Sequence, residues 1–233
     1  MLLLAVLAVA VYGFVIEPGR LVARDYTLTL RGLPAACDGL RIDVVSDTHT
    51  GSPRNGIDHL DRMVAMLATG DADLVLMAGD YVILSVLAGT YVPPETIAPR
   101  LRPLVALKPV YAVLGNHDWW KNGPRIGNEF AAAGVRMIDN LAVPVSVRGC
   151  RFWLAGLGDL LEGRPDVAGT FAQVPAGMPV IALTHEPALF RDIPPRALLT
   201  VAGHTHGGQI NPFGLLTPRR YRAASHGLRG PYV

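Results

Sequence analysis

Residues 40–49 read Leu40-Arg41-Ile42-Asp43-Val44-Val45-Ser46-Asp47-Thr48-His49, a short apolar, β-branched run that stops on a carboxylate and an imidazole. The same arrangement returns four times. Residues 73–78 lead into Gly79-Asp80, 110–114 into Gly115-Asn116-His117-Asp118, 180–183 into Thr184-His185, and 198–202 into Gly203-His204-Thr205-His206. Each run has the length and composition of a buried strand, without the alternation that would leave one face wet. Helix-forming stretches at 58–68, 94–107 and 124–133 separate several of them. Alternating strands and helices predict an α/β fold built on a largely parallel core sheet. Ligands of such sheets gather at the carboxyl ends of the strands, so all five polar clusters are expected at one edge.

His49, His117, His185, His204 and His206 are five of the seven histidines, and all fall in these clusters. His59, in a predicted helix, and His226, in the tail, fit none and are read as ordinary residues. Asp47 and His49, like His204 and His206, are i, i+2 pairs that extended backbone would point to one side. Glycines at 79, 115 and 203 let the chain turn sharply where the site crowds it. The set Asp47, His49, Asp80, Asn116, His185, His204 and His206 offers two carboxylates, one amide and four imidazoles. That is too many donors for one tetrahedral ion, and too much nitrogen for calcium. It suits two transition-metal ions that share a carboxylate and clamp a phosphoryl group during in-line attack. Manganese, iron, zinc and nickel all accept such donors.

In order, Asp47-Thr48-His49, Gly79-Asp80, Gly115-Asn116-His117-Asp118, His185 and Gly203-His204-Thr205-His206 resemble the signature of the calcineurin-like metallophosphoesterase superfamily. That signature runs D-x-H, G-D, G-N-H-[DE], H and G-H-x-H, and the match covers about residues 40–210. The resemblance implies a four-layer α/β/β/α sandwich, two mixed β-sheets flanked by helices. It implies one ion on Asp47, His49 and His206, another on Asn116, His185 and His204, and Asp80 bridging them. A hydroxide shared by the ions would attack phosphorus. His117 would then be a non-ligand that stabilises the transition state or protonates the leaving oxygen. Asp118 is expected either to hold His117 in its useful tautomer or to serve structure alone.

Protein phosphatases of this superfamily extend G-D to G-D-x-x-D-R-G. Here Gly79-Asp80 continues Tyr81-Val82-Ile83-Leu84-Ser85, without the arginine or acid, which argues against a phosphoprotein substrate. Gly79-Asp80-Tyr81, the Trp119-Trp120 pair after His117-Asp118, and Gly207-Gly208-Gln209 after His206 are similar to membrane-anchored bacterial phosphoesterases. That branch includes UDP-2,3-diacylglucosamine hydrolases of lipid A synthesis. The preferred substrate is a lipid-linked nucleotide of this kind, its acyl chains in the bilayer and its pyrophosphate at the interface; a broader phosphodiesterase or phosphatase acting on another envelope metabolite is the alternative. Trp119 and Trp120 would cover an acyl chain, sit at that interface, or simply pack a loop. Arg54 and Arg125, each just after a cluster, are read as phosphate partners or solvated surface residues. Relatives continue past residues 227–230 with another strand, and this sequence stops at Val233, so the second sheet is expected to lack an edge strand.

A sequence of 233 residues suits one sizeable domain, placed at 21–233 after an N-terminal segment at 1–20. Half of it is hydrophobic and 17% charged, which excludes a disordered or fibrous chain. A net charge of +2 gives no grip on nucleic acid, and no protein partner is predicted. Only Lys108 and Lys121 among the 21 basic residues are lysines, read as compositional bias. Residues 1–16 carry no charge. As a helix they would span ~24 Å against a ~30 Å hydrocarbon core. No basic residue precedes the run and apolar residues occupy every face, so it reads as an uncleaved single-pass inner-membrane anchor in the lipid bilayer. Arg20 and Arg24, partly offset by Glu17 and Asp25, favour a cytoplasmic catalytic domain, with an extracytoplasmic one as the alternative.

Cys37 and Cys150 have no C-x-x-C partner and are read as small core residues, not as a disulfide framework or zinc site. Neither Ser46 nor Ser85 lies in a G-x-S-x-G elbow. His117-Asp118 is also the dipeptide of HD-type phosphohydrolases, but there it lies on helices, and here it follows a strand and a glycine. A complete donor set with His117 intact favours an enzyme over a metal-binding membrane protein without catalysis.

Overall fold

The computed structural model describes residues 1–206, except for the side chains of Leu2 and Ala5. Among them, β1 (Ile42–Val45), β2 (Leu74–Met77), β3 (Val110–Ala112) and β4 (Arg136–Met137) lie side by side in that order, all parallel. A second sheet holds β5 (Leu141–Val147), β6 (Cys150–Gly156), β7 (Val180–Leu183) and β8 (Ala197–Val201). There β5 is antiparallel to β6 and the other pairs are parallel. The ligand-tipped runs therefore divide between two sheets instead of sharing one. Of the two, the second is mixed, and among the described residues the first is wholly parallel.

β2 and β7 are buried at every position, as continuous apolar strands covered on both faces should be. β1 lies at an edge, and Val44 is 48% exposed despite sitting in an equally apolar run. β5 and β6 form a hairpin through Arg148 and Gly149, both at positive φ (48° and 84°), the backbone that a tight hairpin turn demands. Along β5, Ala142 and Val145 are the buried residues.

Against the first sheet lie α2 (Ile57–Thr69), α3 (Pro94–Ile97), α4 (Arg102–Val105) and α5 (Asn116–Ala132). α2 turns Leu60, Met63, Val64 and Leu67 inward, the spacing of one helical face. The single helix expected at 94–107 is broken by a 3-10 turn at Ala98–Leu101, where Pro99 and Pro103 remove amide donors. The helix expected to start at Pro124 starts at Asn116 and breaks at Asn122 (φ 167°). Asn122 Oδ1 accepts from Arg125 N at 3.1 Å, so it caps the second half beside a proline that has no amide to donate.

Three cores separate four layers. Leu60, Leu104, Ile126 and Phe130 pack the helices onto Val75, Met77 and Val110. Leu74, Leu76, Tyr111 and Val113 of the first sheet meet Val145, Phe152, Leu154 and Ile181 of the second. α6 (Val167–Ala172) covers the far face through Phe171 on Ala155, Val180 and Ala182. The α/β/β/α sandwich is present.

The cysteine reading is corrected. Cys37 and Cys150 are buried, as expected, but they form a disulfide across 113 residues, with Cα atoms 4.5 Å apart. Sequence spacing could not show that proximity. At the N-terminus, α1 (Leu2–Val11) passes into a π-helical turn, Tyr12–Ile16, and a 3-10 turn, Glu17–Gly19. No described helix is long and apolar enough to cross a membrane. Leu3, Leu7 and Phe14 are exposed. His226, Gly207-Gly208-Gln209 and the expected missing edge strand lie outside the described residues.

Candidate metal centre

β1 and β2 leave their sheet zipped together. Asp47 N donates to Gly79 O (2.9 Å), His49 N to Asp80 O (3.0 Å) and Thr50 N to Tyr81 O (3.0 Å). Gly79 is required on two counts, since its φ is +95° and a Cβ there would stand 2.8 Å from His185 Nδ1. The buried Tyr81 hydroxyl donates to Val113 O (2.7 Å) and accepts from Gly79 N (3.2 Å), fixing the turn from below. The donor pairs are not extended. Asp47, His49, Asp80, His204 and His206 have φ of 53°, 36°, 59°, 69° and 49°. Left-handed backbone, not strand alternation, brings Asp47 Oδ1 to 4.0 Å from His49 Nε2 and sends His204 and His206 to different donor groups. That conformation costs about 1–3 kcal/mol per residue and persists only where the surroundings over-determine it, as they often do at functional sites.

Asp80 sits at the centre. Its Oδ1 accepts from His117 N at the start of α5 (2.9 Å), and its Oδ2 lies 3.6 Å from His49 Nε2 and 3.3 Å from His185 Nε2. On one side, His49 Nε2 is 3.1 Å from His206 Nε2, and His206 Nε2 is 3.4 Å from Asp47 Oδ1. On the other, His185 Nε2 is 3.1 Å from Asn116 Oδ1 and 3.2 Å from His204 Nδ1. The outer nitrogens are committed elsewhere. His185 Nδ1 faces Ala78 O (2.7 Å) and His49 Nδ1 faces Val82 O (3.2 Å), so each ring gives its N–H to a carbonyl and turns Nε2 inward. Lone pairs of nitrogen and oxygen thus converge at hydrogen-bond range with too few protons between them, a crowding that divalent cations would resolve. The donors fit: Asp47, His49 and His206 group on one side, Asp80, His185 and His204 on the other.

Electrostatics divide the imidazoles. Burial pulls the imidazoles of His49, His117 and His204 below their ordinary range. Burial pulls on His185 too, but the Asp80 carboxylate outweighs it and lifts His185 to about 9. Burial pushes Asp80 up, yet the imidazoles of His185, His49 and His117 hold it below the usual carboxylate value.

His117 stands in the first turn of α5, its ring 4.5 Å from that of His49 and 5.5 Å from that of Trp120. Its Nδ1 is buried with no hydrogen-bond partner among the described residues. Asp118 does not orient it. The Asp118 carboxylate accepts from the amides of Asp80 (2.9 Å), Tyr81 (2.9 Å), Val82 (3.2 Å) and Gly115 (2.9 Å), a structural task that ties α5 to the Asp80 turn. Trp119 packs against the helical core, over Gly123, where a Cβ would come within 2.6 Å of the indole. Trp120 is 48% exposed beside His117, and its Nε1 donates to Glu162 Oε1 (3.0 Å).

Neither arginine joins the donors among the described residues. Arg125 forms a bidentate pair with Glu95 (2.6 and 2.8 Å). Arg54 runs past Gly19 and lines a cavity of about 400 Å³ at the start of α2. Two acids escaped the sequence reading. Glu186 is buried, with Oε1 3.2 Å from His204 Nε2. Asp159 is also buried and ends a further strand, β6, through Leu157 and Gly158; its Oδ2 accepts from Leu161 N and Glu162 N. The signal for both was an acid directly beside a cluster or strand end.

Residues 40–208 match the Metallophos family, the calcineurin-like phosphoesterases. The chain belongs to that family. As a calcineurin-like phosphoesterase it is a metal-dependent phosphoester hydrolase. It is 28% identical to the metallophosphoesterase YkuE of Bacillus subtilis over 93% of this chain and 77% of that one. It is 30% identical to the phosphodiesterase YaeI of Escherichia coli over 71% of this chain and 66% of that one. A transmembrane protein with a metallophosphoesterase domain from Danio rerio is 29% identical over 89% of this chain, which spans 49% of that relative. Among solved structures, a 5'-nucleotidase precursor from Thermus thermophilus aligns with a TM-score of 0.49 at 15% identity, over 72% of this chain and 42% of that one.

Proposed function

We propose that the cluster around Asp80 holds two divalent metal ions, and that this phosphoesterase hydrolyses a phosphodiester or pyrophosphate bond of a membrane-derived substrate outside the cytoplasm. The observation that carries the reading is Asp80 itself, with Oδ1 tied to His117 N and Oδ2 left between His49 and His185. Asp47, His49 and His206 would hold one ion, and Asn116, His185 and His204 the other. Bound ions supply a clamp for phosphoryl oxygens and an activated water. His117, beside both Asp80 and His49, is placed to give a proton to the leaving oxygen. With Arg125 held by Glu95 and Arg54 turned to Gly19, neutralising the substrate phosphate would fall, among the described residues, to those that hold the ions and to the imidazoles.

The disulfide supports placement outside the cytoplasm, because such bonds persist in oxidising compartments. It favours the extracytoplasmic alternative over the cytoplasmic preference drawn from Arg20 and Arg24. Exposed apolar side chains along residues 3–16 support contact with a bilayer. A lipid-linked nucleotide such as UDP-2,3-diacylglucosamine is the second reading, favoured by that apolar start and by Trp120 at the rim. The test is hydrolysis by the purified, metal-loaded chain of an aryl phosphodiester and of UDP-2,3-diacylglucosamine. Turnover of the aryl diester with little of the nucleotide supports the proposal. A preference of about 10²-fold for the nucleotide in kcat/KM would install the second reading. Hydrolysis of neither would leave a metal-binding protein without catalysis.

A further inference from the structure

The proposed reaction gives Glu186 no task, yet its side chain is 3% exposed and stands beside a metal-site histidine. We propose that Glu186 is a positioning residue that holds His204 in the tautomer presenting Nδ1 to an ion. The inference rests on reading the cluster as a metal centre. His204 meets its surroundings with both nitrogens. Nδ1 lies 3.1 Å from Asn116 Oδ1 and 3.2 Å from His185 Nε2, inside the second donor group. Nε2, on the far side of the ring, lies 3.2 Å from Glu186 Oε1. A carboxylate there favours the Nε2–H form, leaves the lone pair on Nδ1 and makes that nitrogen a stronger donor.

The comparison within the site sharpens the point. His49 and His185 give their outer N–H groups to neutral carbonyls, Val82 O and Ala78 O. His204 alone among these three turns its outer nitrogen to a carboxylate. The root of Glu186 is fixed as well, since its N donates to Thr184 Oγ1 (3.3 Å) and its carbonyl accepts from Leu189 N (3.2 Å). Glu186 is not itself a ligand of that ion, because the ring of His204 stands between them.

The test is a cobalt(II) titration of the metal-stripped full chain, followed by visible absorption and by metal content after dialysis. In E186A, one ion is expected to bind about 10- to 100-fold more weakly, with a changed visible band, and the other within about threefold of the parent. E186Q, which keeps a carbonyl dipole in the same place but loses the charge, should recover part of the loss. If E186A does not fold, Glu186→Leu, similar in volume and unable to accept, takes its place. Unchanged affinities in every variant, or equal loss of both ions, overturn the assignment. Failure of the parent chain to take up cobalt would instead strike at the metal-centre reading, and the role of Glu186 would fall with it.

Discussion

Four backbone amides end on the carboxylate of Asp118, and that count sets what the residue is worth. An unsatisfied buried amide costs about 1–3 kcal/mol. Asp118→Ala is therefore expected to lower stability by several kcal/mol and to disorder the Asp80 turn, whereas Asp118→Asn, which keeps an acceptor oxygen, should lose less. Urea denaturation of both variants checks this, and equal stability of D118A and the parent would contradict it. His117 behaves oppositely. His117→Ala should keep its metal content while hydrolysis of an aryl phosphodiester drops by about 10²-fold or more. Asp80→Ala should lose both ions together, because one carboxylate faces both groups; two ions retained on metal analysis would remove Asp80 from its central place. At this scale the donors were legible because each is a rare side chain directly after an apolar run. Asp118 and Arg125 were not. Their partners, the amides of residues 80–82 and Glu95, are some thirty to forty positions away and meet them only in space.

The five strands that end in the matched clusters could be read; β4, β5 and β6 could not. β4 has two residues, and the β5–β6 hairpin carries no imidazole, so a reading led by chemistry passed over the elements that make the second sheet mixed. Prolines were legible in principle, and Pro99, Pro103 and Pro124 lie where the helices after β2 and β3 break. Joining β3 to β4 is Asp139, whose Oδ1 accepts from Leu114 N at 3.0 Å. Burial pushes Asp139 up to about 6 from an ordinary 3.8. The folded state thus holds this proton more tightly than the unfolded chain. The stability it contributes is fully present below about pH 4 and is lost as pH rises to about 6. Asp139→Asn should lack that dependence. The stability difference between variant and parent is expected to shift in the variant's favour from pH 4 to 6 and then stay flat. Denaturation midpoints across that range decide it, and a constant difference would count against a raised Asp139.

At the scale of the molecule, the sandwich halves are joined at both ends. Cys37 precedes β1 and Cys150 opens β6, so the disulfide lies toward the amino ends of the strands, opposite the donors at the carboxyl ends. Replacing both cysteines with alanine should cost about 2–5 kcal/mol, read as a lower melting temperature. Turnover of the aryl diester should stay near the parent's below that temperature, and a collapse of activity without loss of fold would contradict the separation. The fold's layering followed from the resemblance, but the disulfide did not, because only the assembled sandwich brings those sulfurs together. Each sheet also contributes donors: Asp47, Asp80 and Asn116 follow strands of the first, His185 and His204 strands of the second. Chelation across that boundary works like a clasp on a hinged book. With the spine sewn by sulfur and the clasp shut by bound cations, the covers would resist both shear and gaping. Reductant and chelator given together should then subtract nearly the sum of their separate effects on melting, as distant, independent fastenings do.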